Sequence, residues 1–247
     1  MKNLLNMLAY KRPLGSESLL AFEQRFIAPL GARKDSAGNW ILSVGQNPTI
    51  CWSSHTDSVH LESGMQKLAV AEHRGRRVIF ATGSDCLGAD DAAGVFLMTE
   101  MIQKGIKGLY IFHYGEEAMG IGSRYIASHT PWLFKGIKHC ISLDRGGYSS
   151  VITHQMGERC CSDAFARSLA NRLNAHGCAF KLDRTGVFTD SANYMDIVPE
   201  CTNISVGYYN QHTPNEYVDL YCVEHIRHAL LNVNFSRLPC RREVESW

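Results

Sequence analysis

Apolar runs of strand character, alternating with helical patterns, predict an α/β fold with a layered sheet in a single domain spanning residues 1–247. Short β-rich runs at 49–54, 109–113, 140–143 and 203–207 are separated by amphipathic stretches, and no linker, repeat or low-complexity segment divides them. His55, Asp90, Glu116, Glu117, Asp144 and His212 each come shortly after an apolar run. Ligand sites in open α/β sheets gather beyond the carboxyl ends of the strands, so this coincidence predicts one site.

In chain order, 16–30 reads as an amphipathic helix with Leu19, Phe22 and Phe26 on one face and Gly31 as its stop. A strand at 39–44 follows a turn at 35–38, and the run at 49–54 leads into His55. Strands at 67–70 and 77–81 flank a polar turn, which predicts a hairpin. A helix begins after Asp90 and Asp91, with Val95, Met98 and Ile102 on one face, and ends at Gly105. The strand at 109–113 precedes a turn containing Gly120 and Gly122 and a short helix at 123–128. Beyond the strand at 140–143, Ser162 caps a helix bearing Phe165, Leu169 and Leu173. The strand at 203–207 and a helix at 218–233, with Val223, Ile226, Leu230 and Val233 inward, close the chain.

Hydrophobic content of 45% and charged content of 20% are those of a globular protein. A net charge of +1 gives no basis for a nucleic-acid or membrane partner, and no apolar run approaches the ~18 residues that span a bilayer. Residues 1–10 are too short and too interrupted for a secretory signal. Nine cysteines cannot all pair, and Cys160 and Cys161 are neighbours, so the thiols read as reduced and the setting as cytoplasmic. His73, His129, His139, His176, His225 and His228 lack suitable acidic company and read as packed or surface residues.

Adjacent residues at a strand end point different ways, so Glu116 and Glu117 can divide two jobs. One can bind a metal while the other transfers protons. Two histidines and three carboxylates form a nitrogen and oxygen donor set suited to Zn²⁺, and less specifically to Co²⁺ or Mn²⁺. Without a thiolate this is no structural zinc knot. Five ligands are too many for one catalytic zinc, but they suit two metals ~3.5–4 Å apart that share a carboxylate.

His55-Thr56-Asp57, Gly88-Ala89-Asp90-Asp91-Ala92-Ala93-Gly94, Gly115-Glu116-Glu117, Leu143-Asp144 and Asn210-Gln211-His212-Thr213-Pro214 occur in the order found in the di-zinc exopeptidases. The chain resembles that superfamily, which includes peptidase T, bacterial zinc aminopeptidases and glutamate carboxypeptidases, over residues 49–217. The resemblance implies a three-layer α/β/α sandwich with a mostly parallel, mixed central sheet. It implies that Asp90 bridges two metals, that His55 and Asp144 complete one site, and that Glu117 and His212 complete the other. Glu116 would be the general base and acid acting on a metal-bridged water, Asp57 would orient the His55 imidazole, and the Asp90–Asp91 peptide would be cis.

Many relatives carry an inserted lid or dimerisation domain, but only 33 positions separate Asp57 from Asp90 and 68 separate Asp144 from His212. A bare catalytic domain is therefore expected. Arg145 could meet an anionic substrate group, and Tyr208, Phe188 and Met119, with Tyr209, could line a side-chain pocket. Asp190 is either a second carboxylate behind the ligands or a turn residue. The expected activity is that of an aminopeptidase on short peptides, from a monomer or small homo-oligomer. The alternatives are an N-acyl amino acid deacylase, a carboxypeptidase, or a metal-binding scaffold on the same fold.

Overall fold

In the computed structural model, which describes residues 1–244, the strand-forming runs build two main sheets, and two short ribbons, Tyr10–Lys11 with Gly64–Met65 and His154–Gln155 with Glu158–Arg159, stand apart from them. The last three residues of the predicted domain lie outside the described residues. The strands are β1 (Arg33–Lys34), β2 (Trp40–Val44), β3 (Ile50–His55), β4 (Lys67–His73), β5 (Arg76–Thr82), β6 (Gly108–His113), β7 (His139–Arg145), β8 (Ser150–Ile152), β9 (Lys181–Asp183), β10 (Glu200–Ser205), β11 (Tyr208–Tyr209) and β12 (Tyr217–Asp219). The central sheet has eight strands in the order β9-β8-β10-β7-β3-β6-β2-β1. Its middle four, β10, β7, β3 and β6, run parallel, and antiparallel pairings appear towards both edges.

Every residue of β3 and β6 is buried, as expected of parallel strands covered on both faces. The helices are α1 (Lys2–Leu8), α2 (Glu17–Phe26), α3 (Ala89–Gln103), α4 (Ile121–His129), α5 (Asp163–Asn174) and α6 (Leu220–Asn232). Helix α3 packs over β3 and β7 with α1 and α6 beside it. The short turn Asp190–Tyr194 packs against the same strands, and α4 packs on that turn. The hairpin at 67–82 forms as predicted, and β11-β12-β5-β4 make a small antiparallel sheet beside the site.

Several element bounds differ from the sequence reading; the strand expected at 203–207, for one, runs Glu200–Ser205. The helix expected over 16–30 ends at Phe26, and Ala28–Leu30 forms a separate 3₁₀ turn with Pro29 inside it, because proline supplies no N–H to continue the α-helical ladder. Helix α1 was not anticipated; it buries Leu4, Met7 and Leu8 against α3. Strand β7 runs on past Leu143 to include Asp144 and Arg145.

Candidate active site

Five elements bring the predicted ligands together. His55 ends β3, Asp144 lies near the end of β7, Glu116 and Glu117 follow β6, Asp90 opens α3, and His212 lies between β11 and β12. His55 Nε2 is 3.0 Å from Asp90 Oδ1 and 3.5 Å from Asp144 Oδ1. On the other side, His212 Nε2 is 3.2 Å from Asp90 Oδ2 and 2.8 Å from Glu117 Oε1. Each Asp90 oxygen therefore faces a different histidine. His55, Asp90 and Asp144 form one cluster with all donor atoms within 4.8 Å, and Asp90, Glu117 and His212 form another; His55, Glu116 and Glu117 also come within that distance of one another.

The donor set fits divalent metal. Bonds of about 2.0–2.1 Å in tetrahedral array place neighbouring donors about 3.3 Å apart, close to the separations above. The charge balance agrees. Burial alone would lower the His55 imidazole, but its contacts to Asp144, Asp57 and Asp90 hold it well above the usual histidine range. His212 is pushed up to about 10 by its hydrogen bonds to Asp90 and Glu117. Burial would raise Asp90, yet hydrogen bonds from His212 and His55 hold it below the ordinary carboxylate range. A pocket that draws protons onto its histidines has an excess of negative charge that cations offset.

Glu116 differs from its neighbour. It lines the cavity beside both clusters, and its carboxylate has no hydrogen-bond partner among the described residues. Burial pushes its carboxyl up to about 10, with His55 opposing and Asp144 adding to the shift.

The residues that hold this arrangement were only partly foreseen. The Asp57 carboxylate lies 3.5 Å from His55 Nδ1, whereas the Asp57 carbonyl oxygen is nearer, at 3.2 Å. The carboxylate instead accepts the N–H groups of Gly115, Glu116 and Glu117 at 3.1–3.2 Å, folding the Glu-Glu turn around itself. Asp91 accepts from Ser54 Oγ at 2.5 Å and from the N–H groups of His55 and Gly94, which ties β3 to α3. The Asp90–Asp91 peptide is cis. Glu216 accepts the N–H groups of Leu87, Gly88 and Asp90, and the fully buried Arg12 donates to the carbonyls of Thr56 and Gly88. Asn203 donates to the Asp144 carbonyl and accepts its N–H, while Thr189 Oγ1 donates to Asp144 Oδ2 at 2.6 Å. Arg12, Glu216, Asn203 and Thr189 escaped the sequence reading. A Lys-Arg-Pro run reads as exposed, and Glu216, four positions past His212, reads as loop polarity.

Of the predicted pocket residues, Arg145, Phe188 and Tyr208 line the cavity. Tyr208 also donates its hydroxyl to Asp144 Oδ1 at 3.3 Å. Met119 is not among the lining residues: it sits at φ 68° in the turn before α4, with 73% of its surface exposed. Tyr209 stacks on Tyr217, ring centroids 5.0 Å apart, and does not line the cavity either. A donor group away from the site, His60, Asp85 and Cys86, is committed elsewhere, since both His60 nitrogens already bond Ser58 and Gln66.

Asp190 is buried behind the site, 3.3 Å from His113 Nδ1. The His113 ring also bonds Tyr194 at 2.7 Å, and burial pushes its imidazole down to about 3. Between pH 6.5 and that value the unfolded chain binds a proton that the folded chain refuses. This contribution to stability is complete above pH 6.5 and is lost as the pH falls. Urea unfolding of metal-free protein is expected to lose about 1.4 kcal/mol per pH unit from this group at the acid end. His113→Asn should show a shallower dependence; an unchanged slope would place the proton uptake elsewhere.

Solved structures of aminopeptidases and a tripeptidase share the fold along nearly the whole of this chain. Aminopeptidase PepT from Bacillus cereus ATCC 10987 superposes with a TM-score of 0.71 at 16% identity, over 93% of this chain and 96% of that one. A tripeptidase from Staphylococcus aureus gives 0.72 at 14% identity, over 93% and 95%. The LapA aminopeptidase of Legionella pneumophila gives 0.63 at 14% identity, over 93% and 66%. No family model matches the chain, and no curated protein is similar to it in sequence.

Proposed function

We propose that the chain is a metal-dependent aminopeptidase that removes the N-terminal residue of short peptides. The observation that carries this reading is the division of Asp90: one oxygen faces His55 and Asp144 while the other oxygen's cluster contains Glu117 and His212, with the Glu116 carboxylate beside His55 and Glu117 and holding no hydrogen bond among the described residues. His55, Asp90 and Asp144 would hold one ion, and Asp90, Glu117 and His212 the other, zinc by donor chemistry, with cobalt or manganese as substitutes. Such ions supply Lewis-acid polarisation of a substrate carbonyl. Glu116 takes the proton of the attacking water and returns it to the leaving amine nitrogen. A binding protein needs no such free base, which argues against the scaffold alternative. Asp57 keeps that carboxylate in place through the three amides of the turn. The aminopeptidases and the tripeptidase that share the fold support the reading.

The same proposal takes the chain as a catalytic domain without an inserted lid, since the stretch from Asp57 to Asp90 is occupied by the 67–82 hairpin. All nine cysteines are free and eight are buried, which suits a reducing, cytoplasmic setting, as a monomer or small homo-oligomer. No helix among the described residues is long and apolar enough to cross a membrane. The test is a panel of peptides with free and acetylated N-termini. Free-amine peptides should be cleaved one residue at a time, with acetylation removing most turnover and chelation removing all of it. Equal cleavage of blocked peptides would overturn the aminopeptidase reading in favour of a deacylase or carboxypeptidase.

A further inference from the structure

Resting on the aminopeptidase reading, we infer that the preferred substrate carries a carboxylate and that Arg145 binds it. Four acidic side chains line the cavity, and Arg145 is the one lysine or arginine among its lining residues. Its place there follows from the end of β7. From Ser142 to Arg145 the chain takes three steps, while its partner β10 takes two, from Asn203 to Ser205. The extra residue breaks the alternation that would send Asp144 and Arg145 to opposite faces of the sheet. Both consequently reach the same cavity.

The guanidinium has little to do within the protein. Among the described residues its one hydrogen bond runs from Nη2 to Thr185 Oγ1 at 3.0 Å. The nearest carboxylate, Asp183, is 3.8 Å away, beyond hydrogen-bond reach. Asp183 is already satisfied by Ser150 Oγ at 2.7 Å and by the Thr185 N–H and hydroxyl at 2.8 and 2.7 Å. Asp183 and Thr185 therefore steer the arginine without saturating it. Most of the planar fork stays free, and its donor geometry matches a carboxylate in a two-point bond. Bound metal ions would offset the acids that hold them, and Arg145 is then the side chain of fixed positive charge in the lining that can fix a substrate carboxylate in place by a two-point bond.

The carboxylate can come from an acidic N-terminal side chain or from the free C-terminus of a dipeptide. Glu-Ala-amide carries only the first, Leu-Ala only the second, and Leu-Ala-amide neither. We compare kcat/KM for the three in the metal-loaded native protein, Arg145→Met and Arg145→Lys. Arg145→Met is expected to lower the preference for one carboxylate-bearing peptide over Leu-Ala-amide by on the order of 10- to 100-fold, chiefly through KM. Arg145→Lys should recover part of it, because lysine keeps the charge but not the fork. A loss confined to Glu-Ala-amide assigns the side chain, and one confined to Leu-Ala assigns the C-terminus. Unchanged preference in Arg145→Met overturns the inference. Should the native protein cleave none of the three, the aminopeptidase reading fails, and calorimetric titration with the same peptides still decides the role of Arg145. Weaker binding of a carboxylate-bearing peptide by Arg145→Met upholds that role, and equal binding rejects it.

Discussion

Glu116→Gln is expected to lower kcat on the order of 10²- to 10⁴-fold while both metal ions stay bound. Glutamine keeps the size of the side chain and its place in the turn, since the bond that Glu116 gives to the Asp57 carboxylate comes from its backbone N–H and not from its side chain. What disappears is the proton acceptor. The carboxylate of Glu116 has no hydrogen-bond partner among the described residues to lose, so folding should be little affected. Glu117→Gln is the informative contrast. Its carboxylate is 2.8 Å from His212 Nε2 and belongs to the second donor cluster, so this variant should fail in metal occupancy and recover partly with excess zinc. Elemental analysis beside single-turnover rates separates the two. Metal loss in Glu116→Gln with retention in Glu117→Gln would reverse their roles.

The gathering of the candidate donors was legible because His55, Glu116, Glu117 and Asp144 stand where apolar runs stop, and strand ends in a parallel sheet converge on one edge. Asp90 at the start of α3 and His212 between β11 and β12 were placed by motif rather than by a strand end. Hydrophobic periodicity fixes which runs are strands, and the residue after each run then needs no further information to be placed. Helix α5 and its Ser162 cap were legible for the same local reason: the Ser162 hydroxyl accepts the Phe165 N–H three residues on. What escaped depends on contacts between distant segments. Asp57 holding three amides 58 to 60 positions away, Glu216 holding the Asp90 loop and Arg12 reaching the Thr56 and Gly88 carbonyls all use backbone groups as partners. Backbone groups leave no mark in a side-chain pattern. The same holds for Asn203, whose amide replaces the ladder partner at Asp144 and so lets β7 run two residues further than its apolar stretch. Met119 was misplaced because proximity in sequence to the Glu-Glu pair says nothing about direction once the chain turns through a positive φ.

Asp90→Asn should cost the protein both ions at once. Asparagine retains one acceptor oxygen and replaces the other with an NH₂ group that cannot ligate a cation, and the shared negative charge is gone. Because Oδ1 faces His55 at 3.0 Å and Oδ2 faces His212 at 3.2 Å, neither cluster can keep its full donor set whichever way the amide turns. Removing groups that merely support a ligand typically lowers metal affinity about 10- to 100-fold, and losing the shared ligand should exceed that. The metal content is expected to fall from two per chain to less than one, with activity falling below detection. His212→Asn disturbs only the cluster containing Glu117 and should leave one ion in place at His55, Asp90 and Asp144. Asp91→Asn is the neighbouring control: its carboxylate bonds Ser54, His55 N and Gly94 N, so any loss there should appear first in unfolding midpoint rather than in metal content. Two ions retained by folded Asp90→Asn would show that the two clusters do not share a ligand, and the paired site would have to be abandoned.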